Sequence, residues 1–261
     1  MKCVILAGGM GTRLMEETAT IPKPMVEIGG KPILWHIMKY YSHYNIKEFV
    51  ICLGYKGYVI KEYIKNYYLH NSNVTINVNN NNDITVHDSD SENFIVTLVE
   101  TGLHTNTAGR IKKIKKFVEN ETFMLTYGDG LSNIDLNELL KFHTNHNKIG
   151  TLSSVKSPIQ YGILNINSKN EVYEFIEKPE DLSTRINGGF FVFEPELFNY
   201  LEGDVENIQF EKGPLKKLSA NLELKAFNHN GFWKSMDALR DKIEFEKLWN
   251  SDKCPWKVWD D

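Results

Sequence analysis

Apolar and polar positions along the chain fall into short alternating blocks. Lys2 to Ala7 (KCVILA) is an apolar run of strand length, and Glu48 to Leu53 (EFVICL) and Phe123 to Tyr127 (FMLTY) repeat it. Runs of this kind are the pattern of strands buried on both faces. Between them, Pro32 to His43 sets Ile33, Leu34, Ile37, Met38 and Tyr41 at helical spacing. Tyr58 to Tyr67 and Leu136 to Asn145 are read as helices too, whereas Pro22 and Pro24 keep Met15 to Glu27 mostly loop. Ile149 to Val155 is a further strand. Strand and helix thus alternate through the first 155 residues, which predicts an α/β fold: a mainly parallel sheet with helices on both faces.

Residues 71–100 break the rhythm. The stretch NSNVTINVNNNNDITVHDSD has two alternating runs (Val74, Ile76, Val78, then Ile84, Val86) around an asparagine-rich turn from Asn79 to Asp83. It reads equally as a small β insert that leaves the sheet and as a flexible loop. From about Tyr161 the chain mixes strands (Gly162 to Ile166, Val172 to Glu177, Gly189 to Phe193) with a final helix from Ala238 to Trp249. No repeat and no linker interrupts it. The expectation is one domain over 1–261, with a helical tail over about 238–261.

Composition excludes several function classes. A net charge of −4 gives no global pull on nucleic acid or an anionic membrane, so cationic groups for an anionic substrate must be gathered locally. No apolar run reaches the ~18 residues of a membrane span. The start is too short in apolar residues for a secretory signal, and a cytoplasmic protein is expected. Cys3, Cys52 and Cys254 are odd in number and widely spaced, as buried or free thiols are.

The strongest local signal is Leu6-Ala7-Gly8-Gly9-Met10-Gly11-Thr12-Arg13, a strand running into a loop with three glycines in four positions. Glycine lets main-chain N–H groups approach a phosphate, and Arg13 adds a cationic fork. Ten residues on, Pro22 and Pro24 stiffen the backbone around Lys23, a point charge for phosphate. The P-loop spacing GxxxxGK[ST] is absent. The dinucleotide fingerprint fails as well, because Leu14 stands where its third glycine belongs.

GGMGTRL followed by PKPM resembles the signature of the sugar nucleotidyltransferases. GYKGYVIKEY, the TYGDG block, INGGFFVF, the GFWxxMD block and CPWKVW extend the similarity over nearly the whole chain, closest to the cytidylyltransferase branch that acts on glucose 1-phosphate. The resemblance implies a Rossmann-like α/β fold of the nucleotide-diphospho-sugar transferase type and a homo-oligomer. It implies that Leu6 to Thr12 hold the nucleotide, with Arg13 and Lys23 on its phosphates. Asp129 and Asp237 match the two metal-binding aspartates, with Mg²⁺ as the ion. Glu177 and Lys178 match the motif that meets sugar hydroxyls and sugar phosphate. Tyr127, Gly162, Asn187 and Gly188 fall in the sugar-phosphate blocks, and Gly128 in the nucleotide blocks.

Some of this follows from the residues themselves. Asp129, between two glycines at a strand end, is placed where open α/β sheets bind ligands. Asp237 reads either as a metal ligand or as an N-cap for the helix after it. Thr105 to Arg110 follows the strand VTLVE, and it carries Thr105, Gly109 and Arg110 as nucleotide-side candidates. Cytosine shows acceptors at N3 and O2, which a donor-only guanidinium fits, whereas uracil and thymine carry a hydrogen on N3. Arg110 could also simply open a solvated basic helix. One departure is Gln160, where the family has an arginine before the aromatic-glycine pair, and it bears on which sugar is used. The implied reaction joins CTP and a sugar 1-phosphate with release of pyrophosphate. UTP or dTTP in place of CTP is the near alternative, and a catalytically silent nucleotide-sugar sensor is the distant one.

Overall fold

The computed structural model describes residues 1–156, 163–176, 184–251 and 253–260. Its centre is an eight-stranded sheet. In chain order the strands are β1 (Lys2–Leu6), β2 (Glu48–Leu53), β5 (Ile95–Glu100), β6 (Phe123–Tyr127), β8 (Gly150–Lys156), β9 (Arg185–Asn187), β10 (Phe191–Phe193) and β11 (Leu224–His229). A hairpin, β3 (Ser72–Asn77) with β4 (Asp83–Ser89), and a ribbon of β7 (Gly130–Ser132) with β12 (Trp233–Ser235) stand apart from it. Across the sheet the order is β9-β8-β10-β6-β1-β2-β5, with β11 on the other edge of β8. β5, β2, β1 and β6 are mutually parallel, and β10 enters antiparallel between β6 and β8. The sheet is mixed and mainly parallel, as the alternation of runs predicts.

Period-two alternation within the buried strands divides the core in two. Cys3, Ile5 and Ala7 face a cluster with α1 (Ile33–His43), α2 (Gly57–His70) and α6 (Leu239–Trp249), while Val4 and Leu6 face α3 (Thr107–Lys113) and α5 (Pro214–Ala220). A strand covered on both faces must be apolar at every position, and KCVIL is buried from its second residue onward. A fourth helix, α4 (Leu136–Thr144), packs beside β8, β10 and β11, its start capped by Asp135, which accepts from the N–H groups of Asn137 (2.9 Å) and Glu138 (3.1 Å). Among the described residues no helix is long and apolar enough to cross a membrane.

Two expectations change. The insert ends by Ser89, because Ile95–Glu100 returns to pair with β2 as the sheet edge. Its hairpin form is the ordered one of the two readings, with Ile76, Val78, Ile84 and Val86 exposed. The tail is helical only to Trp249. Beyond it the chain lays Trp256, fully buried, against His36 and Trp249.

That closure buries a titratable group. The Nε2 of His36 faces the Ile28 carbonyl at 2.9 Å, and Trp256 Nε1 donates to its Nδ1 at 3.4 Å. Burial pushes its pKa down to about 4 from 6.5. The folded pKa lies below the unfolded one, so the unfolded chain takes up the proton first as pH falls. The stability is fully present above about pH 6.5 and is lost towards pH 4, by about 3 kcal/mol in all. Chemical denaturation at pH 7 and pH 4.5 of the wild type and of His36→Gln checks this. A wild-type loss no larger than the variant's refutes the assignment.

Candidate active site

The chain runs from β1 through α1 to β2 on one side of the sheet, and β6 lies on the other side of β1. Such a switch point opens a crevice at the carboxyl ends of the strands, and both glycine loops of the sequence emerge into it. Gly128 donates its N–H to the Leu6 carbonyl at 3.1 Å. A Cβ there would come within 2.9 Å of that oxygen, so glycine lets the two strand ends close up.

The first cavity, of about 300 Å³, is lined by Leu6, Ala7, Gly8, Gly9, Gly11, Thr12, Lys23, Pro24, Thr105, Asn106, Thr107, Arg110, Tyr127, Gly128 and Asp129. Among the described residues, no protein acceptor meets the N–H groups of Gly8, Gly9, Gly11 or Thr12. Gly11 has a φ of +63°, and Thr18 closes the turn by donating to the carbonyls of Gly11 (3.0 Å) and Leu14 (2.8 Å). This is the open main-chain cradle that suits a phosphate. Met10 points to solvent, and Gly109 lies buried against Glu206 rather than on the cavity wall.

A second cavity, of about 230 Å³, is lined by Thr126, Tyr127, Asp129, Gly130, Asn187, Gly188, Phe190, Trp233, Ser235 and Asp237. Tyr127 and Asp129 belong to both cavities. Where they meet, the Lys23 ammonium donates to Asp129 Oδ2 at 2.6 Å and to Asp237 Oδ1 at 3.0 Å. These three side chains come from positions 106 and 214 residues apart in the chain. The β7–β12 ribbon sets the carboxylates side by side: Met236 donates its N–H to the Asp129 carbonyl at 2.8 Å, and Ser235 donates to Asp237 Oδ2 at 2.9 Å.

Asp237 does not cap α6. The helix begins at Leu239, and the carboxylate of Asp241 accepts from the N–H groups of Asp237 (2.9 Å) and Ala238 (2.8 Å). Its own carboxylate stays in the cavity. Two carboxylates gathered around one cationic centre fit a Mg²⁺ shell of one or two carboxylates completed by substrate phosphate and water. Among the described residues no group of three His, Cys, Asp or Glu could hold a metal alone.

Arg110 is buried, 4% exposed. Its Nη1 donates to the carbonyls of Leu53 (3.0 Å) and Gly102 (2.9 Å) and to the Thr101 hydroxyl (2.6 Å), and Nη2 donates to the Gly8 carbonyl (2.9 Å). The fork offered to a pyrimidine on sequence grounds is here engaged by the ends of β1, β2 and β5. Burial pulls its pKa down from the usual arginine range, and no carboxylate among the described residues lies within ion-pair distance. Thr105 lines the cavity, its hydroxyl donating to Glu206 Oε1 at 3.1 Å. Asn187 donates its amide N–H to the Tyr127 hydroxyl at 3.1 Å, and the Gly188 carbonyl accepts from Trp233 Nε1 at 2.7 Å. The Arg13 side chain, Gln160, Gly162, Glu177 and Lys178 lie outside the described residues. Pro24, Asn106, Thr107, Trp233 and Ser235 also line the cavities without being expected there, and each falls within PKPM, the segment Thr105 to Arg110 or the GFWxxMD block.

A nucleotidyl transferase family model matches residues 2–247. The chain belongs to the nucleotidyl transferase family. A glucose-1-phosphate cytidylyltransferase of Salmonella typhimurium is 50% identical over 261 residues, all of both chains. Among solved structures, UDP-glucose pyrophosphorylase complexed with UDP-glucose superposes with a TM-score of 0.67 at 19% identity, covering 95% of this chain and 97% of that one. A Yersinia pseudotuberculosis protein, HddC, does so at 0.66 and 24%, covering 95% and 99%. These likenesses show the nucleotidyl transferase fold. The full-length relative shares the branch that the sequence motifs point to.

Proposed function

We propose that this nucleotidyl transferase moves a cytidylyl group from CTP to α-D-glucose 1-phosphate, giving CDP-glucose and pyrophosphate. The observation that carries the reading is the convergence of Lys23, Asp129 and Asp237 where the two cavities share Tyr127 and Asp129. One cavity has a phosphate cradle and takes the triphosphate. The other takes the sugar phosphate, and the two phosphates meet at the cluster.

A phosphate oxygen of the sugar attacks the α-phosphorus of CTP. The new bond joins that oxygen to phosphorus, and the bond to the β-phosphate oxygen breaks, with pyrophosphate leaving on the electron pair. A phosphomonoester has its second pKa near ~6 and is already anionic at neutral pH, so no side chain has to remove a proton. The chain supplies position and charge. The loop N–H groups orient the triphosphate, and Lys23, on a four-carbon stem, reaches its phosphates. Asp129 and Asp237 are the residues that would hold Mg²⁺. When bound, the ion neutralises phosphate charge and aligns phosphate oxygens. Arg13, Glu177 and Lys178 complete the site in this reading on the strength of their motifs. Cytoplasmic placement fits a donor and an acceptor that are both soluble phosphates.

Pyrophosphate release with Mg²⁺ and glucose 1-phosphate, offered CTP, UTP, dTTP, ATP and GTP in parallel, tests the reading. Release with CTP and loss on chelation are expected. Release with UTP or dTTP instead would overturn the base assignment. Failure with every nucleotide across a panel of sugar 1-phosphates would favour a silent sensor.

A further inference from the structure

The segment from Val205 to Glu211 carries no motif, yet it is laid along the start of α3. Asn106 donates its N–H to the Glu206 carbonyl at 2.7 Å, and Ala108 donates to the Ile208 carbonyl at 3.2 Å. The Thr107 hydroxyl accepts from the Phe210 N–H at 2.7 Å. The segment ends on Glu211, a half-buried carboxylate that accepts from two hydroxyls at once. Tyr127 donates to its Oε1 at 2.5 Å, and Thr107 donates to its Oε2 at 3.2 Å.

These two partners serve different cavities. Thr107 lines the nucleotide cavity, and Tyr127 stands between that cavity and the sugar side. The Tyr127 hydroxyl also accepts from Asn187, which lines the sugar side. The ring is packed onto Gly189, whose φ is +72° and where a Cβ would come within 2.9 Å of it. The ring is therefore fixed on one side by packing and at its tip by hydrogen bonds. The phenol is the donor in this pair, because a carboxylate can only accept. A hydrogen bond to an ionised acceptor is about twice as strong as a neutral one, which makes Glu211 the dominant restraint on that tip.

We propose that Glu211 is a positioning residue that locks the Tyr127 ring and the Thr107 hydroxyl together, so that the nucleotide and sugar-phosphate sites keep one relative geometry. It touches neither substrate in this account and acts through Tyr127 and Thr107. The inference rests on the assignment of the two cavities given above.

The test is steady-state kinetics of Glu211→Ala, Glu211→Gln, Tyr127→Phe and Glu211→Ala/Tyr127→Phe, together with crystal structures of the single variants. Glu211→Ala is expected to raise the KM for glucose 1-phosphate about tenfold, the size of one charge-assisted hydrogen bond. Glu211→Gln, whose amide oxygen still accepts the phenol, restores it. The double variant is expected to raise the KM for glucose 1-phosphate no more than Tyr127→Phe alone, because the Tyr127 hydroxyl is the shared element on the sugar side, while release of Thr107 is read in the KM for CTP. Additive losses, or a lowered melting temperature with both KM values unchanged, would mean that Glu211 is only structural. If the wild type makes no nucleotide sugar, the functional reading fails and the crystal structures decide: Tyr127 and Thr107 unmoved in Glu211→Ala overturns the inference independently of turnover.

Discussion

Asp129→Ala is expected to lower nucleotidyl transfer by roughly 10²–10³-fold, a loss comparable to that of one preorganised electrostatic group, because this carboxylate orients Lys23 and, under the proposed function, would hold the divalent ion. The fold should survive. Asp129 sits in the turn between β6 and β7, its side chain 28% exposed, and Lys23 keeps its pair with Asp237 when it is gone. The same bonds account for the expected activity loss: with one carboxylate missing, a divalent ion would have a single protein ligand from the pair, and Lys23 loses the anchor that sets its direction. Turnover with saturating Mg²⁺, beside a circular dichroism melt, separates the two effects. Turnover within threefold of wild type would remove Asp129 from the site. Asp129→Asn refines the result, since it keeps the shape and removes the charge.

The second large effect is on architecture. Arg110→Met removes the guanidinium from the carbonyls of Leu53, Gly102 and Gly8; the Leu53 carbonyl keeps the N–H and hydroxyl of Thr101 and the Gly8 carbonyl keeps the Tyr55 N–H, whereas the Gly102 carbonyl loses its donor. An unsatisfied acceptor costs about 1–3 kcal/mol, so a loss of about that size is expected in denaturant unfolding. Gly8→Ala should resemble it, because a Cβ at Gly8 would lie 2.1 Å from Arg110 Nη1. The two changes attack one contact and should combine to less than their sum. The nucleotide KM rises in both variants, because the Gly8 carbonyl ties the phosphate cradle to the guanidinium, whereas the sugar-phosphate KM stays near wild type. Full stability of Arg110→Met together with loss of discrimination between CTP and UTP would restore the guanidinium to the base.

Much of the fold was legible because the strands have no polar face. KCVIL, EFVICL and FMLTY lie between two apolar clusters, and a run buried on both sides announces itself without reference to its partners. The return of residues 95–100 to the sheet was less legible. Among the described residues IVTLVE pairs only with β2, and it is half-exposed over most of its length, so burial puts less constraint on its sequence. The position of Trp256 was hidden for another reason: its partners, His36 and Trp249, are fixed by how the tail folds back, which no local periodicity encodes.

The sequence by itself determined the inventory of the site: the glycines that open a phosphate cradle, Lys23 between its prolines, and the acidic residues at strand ends. These are local demands of backbone conformation and charge, and they leave a local trace. The tertiary structure decided which of them meet. Lys23, Asp129 and Asp237 converge only because β1 and β6 are neighbours and the β7–β12 ribbon folds beside them. It also decided that Arg110 is held by carbonyls and that Glu211 stands behind Tyr127. Such roles depend on distances between residues far apart in the chain. A hydrogen bond requires about 3 Å and a definite direction, and only the packed fold sets both.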